Sequence, residues 1–134
     1  MNASPMSRIS LLTGSILLAL AVTIGAFGAH GLKSLVTPQM MEIFETGVRY
    51  HFYHGFALLI LGLYSHQFPT HRIHLPYYAF SVGTLLFSFN CYVYVLTHLK
   101  PLAMMMPIGG FLFILGWGSF AWRILKSGET KATL

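Results

Sequence analysis

The residues of this chain with the types and spacing to do chemistry are gathered in one stretch, Glu45 to Leu58, ETGVRYHFYHGFAL. It holds a carboxylate, a guanidinium, two tyrosines and two histidines, and it runs directly into an apolar segment suited to lipid. Ionisable groups at membrane depth are costly to desolvate, so their default reading is functional or architectural. Glu42, Glu45 and Arg49 fall within about 60° of one another on a helix, and Glu45 to Arg49 is the favourable i to i+4 order. Such a pair orients a helix surface. Alternatively Arg49 anchors a lipid headgroup or another anionic ligand. His51 and His54 form an i, i+3 pair. Together with His30 and His98 they could ligate a metal or haem, and Met104 to Met106 would suit a soft ion such as Cu(I).

Against a metal stands the absence of the inward carboxylates and Glu-x-x-His pairs of di-metal bundles. His54 is better explained as a buried, hydrogen-bonded histidine that ties helices together. Counting depth along the helices makes Asn90 and Thr23 its expected partners, with Tyr92 and Tyr50 next. His30 should close the top of that pocket and Arg49 line its rim. His66, His71 and His74 belong to a proline-containing segment and read as a solvated loop. Other chemistries are missing: there is no Asp, no phosphate-cradling glycine loop and no base beside the lone Cys91.

These residues need elements to position them, and composition says which. Of 134 residues, 55% are hydrophobic and 8% charged. A soluble domain carries about a quarter charged residues, so this is the composition of an integral membrane protein. The net charge of +5 is scattered over loops and termini and does not interleave with aromatics. It therefore speaks for membrane orientation, and against nucleic acid as a partner. The apolar run after Arg8 is too long for a signal peptide and lacks a small-x-small site followed by a polar mature domain, so it is expected to be a helix of the protein. Four spans are expected, over residues 9–29, 50–65, 77–98 and 107–125. Small residues recur every fourth position at Ala21, Gly25 and Ala29, a stripe that admits a close helix neighbour, and glycine in Gly28 to Gly31 suits a helix C-cap. Thr37-Pro38 is a helix start. From there to Ser65 a helix would run about 42 Å, too long for a perpendicular span, so residues 38–49 are expected to form an interfacial segment. The fold class is an all-α, four-helix antiparallel membrane bundle with that segment between its first two spans.

Four blocks, GAFGAHGL (Gly25 to Leu32), IFETGVRYHFYH (Ile43 to His54), LLFS (Leu85 to Ser88) and MPIGGFLFILGW (Met106 to Trp117), resemble the bacterial membrane family called domain of unknown function 423. Its animal relatives are called transmembrane protein 256. The resemblance spans nearly the whole chain in the right order. It implies a small four-helix inner-membrane protein with no established activity, in which the matched polar residues are His30, Glu45, Arg49, Tyr50 and His54. The chain departs from the family after Ser88, where Phe89-Asn90-Cys91 stand for the common Gly-Ser, and at His51, where the family commonly has glutamine.

The sequence thus nominates a polar cluster of His30, Glu45, Arg49, Tyr50, His54 and Asn90 for ligand binding or structure. His30, His51, His54 and His98 are the alternative metal set, and no cofactor or catalytic residue is assigned. The function it favours is lipid or partner binding and assembly, with membrane lipids, a second copy or a larger complex as partners. A small transporter or channel component is one alternative, and a histidine-based metal or haem redox protein another. Arg8, Arg72, Arg123, Lys126 and Lys131 fall on one side, and Lys33, Arg49 and Lys100 on the other, which predicts cytoplasmic termini. Reporter fusions at Leu134 and Lys100 should then report opposite sides, with Leu134 inside. A Leu134 fusion reporting outside would reverse the orientation.

Overall fold

The computed structural model describes residues 4–129 and is built of helices alone, with no strand among the described residues. Lys131 and the C-terminal tail lie outside them. Four helices run up and down: α1 (Pro5–Leu32), α2 (Pro38–Gln67), α3 (His74–Thr97) and α4 (Lys100–Glu129). Each start is written locally. Ser4 accepts a hydrogen bond from the Ser7 N–H with Pro5 behind it. Thr37 accepts from the Met40 N–H at 3.3 Å, with Pro38 at the first helical position. His98 ends α3 by turning left-handed at φ 56°, a conformation in which histidine is enriched. The chain re-enters a helix at Lys100, so Met104 to Met106 and Pro107 all lie inside α4.

Two of the helices contain a π turn. Gly28–Leu32 closes α1, with the Lys33 N–H bonding the Gly28 carbonyl at 3.2 Å, and Leu85–Phe89 interrupts α3. The GAHGL segment is therefore not a glycine cap. Gly28 is glycine because the buried Phe44 ring of α2 sits where its Cβ would be. In α3 the π turn keeps every fourth residue inward: Phe80, Thr84, Ser88 and Tyr92 are all buried. A regular helix drifts by about 40° over each such step, and the wide turn absorbs that drift.

Close backbone approach holds the helices together. Along α1 the small residues that meet α2 recur every seventh position, at Ser7, Gly14, Ala21 and Gly28, all buried. Ser7 Oγ donates to the Gly62 carbonyl at 2.8 Å and Ser10 Oγ to the Leu58 carbonyl at 2.7 Å. A Cβ on Gly14 would lie 2.9 Å from the Gly55 carbonyl oxygen. The four-residue stripe meets α2 only in part. Ala21 is buried and Gly25 faces Val48, but Ala29 is exposed. Helices crossing at a shallow angle touch every 3.5 residues, so a strict i+4 row drifts off the contact. On the other side α3 meets α4 at Gly83 and Gly109; a Cβ on Gly109 would lie 2.7 Å from the Phe87 backbone nitrogen.

α1, α3 and α4 are long and apolar enough to cross a membrane. α2 is not among them; it carries Glu42, Glu45, Arg49, His51 and His54 within its length. His51 and His54 are buried, while Tyr53, Phe56, Ile60 and Leu63 form its exposed face. The fold is an all-α membrane bundle, and its main core joins Leu58 and Leu61 of α2 to Phe80 of α3 and Phe113 and Phe120 of α4.

The glycine seam makes a stability prediction. Gly109→Ala should lower stability by about 1–3 kcal/mol, as overpacking does, and depress the unfolding temperature in detergent. Gly118→Ala, with nothing within 4 Å of the added carbon, should leave it unchanged or slightly raised. Equal losses at both positions would show that the seam is not what limits stability.

Candidate functional site

The helical turn of α2 divides the polar stretch in two. Phe44, Gly47, His51 and His54 face the bundle, whereas Glu42, Glu45 and Arg49 are exposed. The inward half is an aromatic and histidine cluster. His54 Nδ1 bonds the Tyr50 carbonyl of its own helix at 2.8 Å, and Nε2 receives the Trp117 indole N–H at 3.3 Å. A carbonyl only accepts and an indole only donates. The ring is therefore the neutral Nδ1–H tautomer with both nitrogens engaged. It lies flat on Phe113, centroids 3.4 Å apart and planes 7° off parallel, with Phe80 at its edge.

His54 thus faces the interior and is held by another helix, but not by the partners counted from depth. Asn90 donates to the Leu86 carbonyl of its own helix and Thr23 to that of Ala19. The π turn in α3 rotates Cys91 and Tyr92 inward in place of Asn90, and the seven-residue seam leaves Thr23 on the outside of α1. Tyr92 serves the other histidine: its hydroxyl is 3.0 Å from His51 Nδ1, and its ring packs on Phe44 at 5.2 Å. Gly47 lets this happen, because a Cβ there would lie 2.8 Å from that of Cys91. His51 Nε2 and the Ser81 and Ser88 hydroxyls are buried with no hydrogen-bonding partner.

The metal set is not assembled. His30 is exposed on the first π turn, which sends Leu32 inward instead, and His98 is exposed at the α3–α4 turn. His30 therefore does not close the His54 pocket. No group of three or more His, Cys, Asp or Glu among the described residues is placed to hold a metal, and the His54 lone pair is occupied. Of the methionine run, Met106 receives the Cys91 S–H at 3.8 Å. His71 is not simply a solvated loop residue either: it is half-buried, bonds the Tyr64 hydroxyl at 2.8 Å and stacks on Phe68.

The outward half also differs from the expected pairing. Arg49 Nη2 donates to Thr46 Oγ1 at 2.8 Å, and Glu45 and Arg49 form no ion pair. An exposed pair gains too little to hold two long side chains in one geometry, and a hydroxyl one turn back is within reach. Both charges stand at the rim of a groove of about 250 Å³ between α1 and α2, floored by Gly25, Ala29, Met41 and Val48. Tyr50 lies apart from it, its ring on Phe87. The cluster named from sequence is therefore several places. His54 lies in the interior and bonds the carbonyl of Tyr50, whose own side chain is exposed, Glu45 and Arg49 line the groove, and His30 and Asn90 join neither. Tyr92, expected as a further partner of His54, serves His51 instead, and no spacing in the sequence pairs Trp117 or Phe113 with the histidines. The available signal was the indole N–H in an apolar helix, which needs an acceptor.

A helical membrane bundle with an aromatic-histidine centre and a charged groove at its flank is the class these features define. Over residues 24–110 the chain matches, and it belongs to, the family described as Protein of unknown function (DUF423). A UPF0382 membrane protein of Staphylococcus aureus is 38% identical over 112 residues, covering 82% of this chain and 89% of the relative. One of Staphylococcus haemolyticus is 34% identical over 110 residues, covering 82% and 89%. UPF0382 membrane protein YwdK of Bacillus subtilis is 31% identical over 111 residues, covering 82% and 90%. No solved structure matches the chain.

The His54 geometry is testable by a double-mutant cycle. Trp117→Phe should cost about 1–3 kcal/mol by leaving Nε2 without a donor, and less when His54 is already Leu. His54→Ala should cost more than His54→Leu because it adds a cavity. Unfolding in detergent reads all four, and an equal Trp117→Phe cost in both backgrounds would sink the coupling.

Proposed function

We propose that this protein works by binding membrane lipid at its outer surface, as a non-catalytic binding or assembly protein of the bacterial inner membrane with both termini in the cytoplasm. The carrying observation is the division of α2. Both nitrogens of His54 are consumed by hydrogen bonds within the bundle, while Glu45 and Arg49 are left open over a groove. A role for His54 in catalysis or ion conduction would want those nitrogens free. The orientation is supported by Arg8, Arg72, Arg123 and Lys126 at the end of the bundle where α1 begins and α4 ends.

The test is extraction in polymer nanodiscs followed by exchange into a delipidating detergent. Bound phospholipid, metal and haem are then quantified per chain. Phospholipid should remain in stoichiometric amount and fall in the Arg49→Ala variant. Stoichiometric metal or haem with no retained lipid would replace this reading with a redox or metal-binding one.

A further inference from the structure

We propose that the α1–α2 groove is a site for a phospholipid with a primary-amine zwitterionic headgroup, of the phosphoethanolamine type. This rests on the lipid-binding reading and adds the headgroup class. The groove is lined by small and apolar residues, Gly25, Ala29, Met41, Phe44 and Val48, and by one negative and one positive group, Glu45 and Arg49. Gly25 and Ala29 carry too little side chain to fill the slot, so a segment of acyl chain can lie between the helices. A Cβ on Gly25 would already be 3.3 Å from Val48, which sets the depth of the slot.

The rim charges are opposite, exposed and not neutralised by each other. They lie one helical turn apart, about 6 Å along the axis. Arg49 uses one donor on Thr46. A guanidinium carries five, so others remain for phosphate oxygens, which it binds in charge-assisted, often bidentate fashion. The Glu45 carboxylate is an acceptor only and suits an ammonium that has N–H groups to give.

The order of the two charges fits the order of the headgroup. In such a lipid the phosphate joins the glycerol to the ethanolamine, so the phosphate lies deeper and the amine further out. Taking His66 near the opposite interface, Arg49 is about 26 Å and Glu45 about 32 Å along α2. A hydrocarbon core of about 30 Å would end between them. The cation is therefore the deeper of the two charges and the carboxylate the outer, which is the order of phosphate and amine in the headgroup. A purely anionic headgroup would meet Glu45 as a repulsive neighbour, and a quaternary amine could not donate to it.

Native mass spectrometry of the full chain in detergent micelles tests this. The probes are phosphatidylethanolamine, phosphatidylcholine and phosphatidylglycerol of identical acyl chains. Wild type should retain phosphatidylethanolamine several-fold better than the other two. Glu45→Gln should abolish that preference, and Arg49→Gln should weaken retention of all three. Ala29→Leu, which fills the slot without touching a charge, should weaken all three as well. Free phosphoethanolamine should not compete at the same concentration, since it has no chain for the slot. Unfolding temperatures close to wild type certify that these exposed substitutions fold, and if one fails the other two carry the comparison. Retention of lipid without a phosphatidylethanolamine preference, or a preference that survives Glu45→Gln, would overturn the headgroup assignment and leave lipid binding standing. Competition by free phosphoethanolamine would overturn the lipid as the ligand at this site. No retention of any lipid by wild type would overturn the lipid-binding reading itself.

Discussion

Helices surrounded by lipid gain nothing by burying apolar side chains against one another, because acyl chains are as apolar as leucine. Association must come from close van der Waals contact and from hydrogen bonds. This bundle meets the constraint at its backbone. α1 presents Ser7, Gly14, Ala21 and Gly28 to α2, and the two serines nearest its start reach carbonyls of the facing helix. Gly83 and Gly109 do the same between α3 and α4. The pairs are then joined across the centre by rings from Phe80, Phe113 and Phe120, with Leu58 and Leu61 between them.

Close approach has a consequence for the polar groups. Once the backbones are this near, a side chain at the seam is either very small or held by hydrogen bonds and ring contacts. His54 is of the second kind. Its two nitrogens are taken by a carbonyl and an indole, and its face by a phenyl ring. An imidazole in this state is architecture: it bridges α2 and α4 in a medium where an unpaired polar group costs a few kcal/mol. On the outside, Glu45 and Arg49 are exposed and line the groove between α1 and α2.

The same constraint accounts for the segments that resemble the family most closely. In GAFGAHGL, Gly28 seats Phe44 and the π turn brings Leu32 inward. In ETGVRYHFYH, Gly47 lets α3 come close enough for Tyr92 to reach His51, and His54 meets α4. Gly25, Gly28 and Gly47 of these blocks are sites of helix contact, and of the polar residues His51 and His54 turn to the interior and Glu45 and Arg49 to the groove.

Composition, hydropathy and the Thr37-Pro38 start already determined an all-α membrane bundle with four helices, and helix periodicity determined that Glu42, Glu45 and Arg49 share one face. These are local properties: they depend on 3.6 residues per turn and on which side chains lipid tolerates. Which face of each helix meets which neighbour is not local. A single π turn in α3 rotated Asn90 away from the interior and Tyr92 into it. The seven-residue seam set the roll of α1 and left Thr23 outside. His54 found its partner in Trp117, 63 positions along the chain, a distance over which no spacing rule operates. The tertiary structure decided these pairings because rotation and depth of a packed helix are fixed by contacts with its neighbours, and those contacts exist only once all four helices are in place.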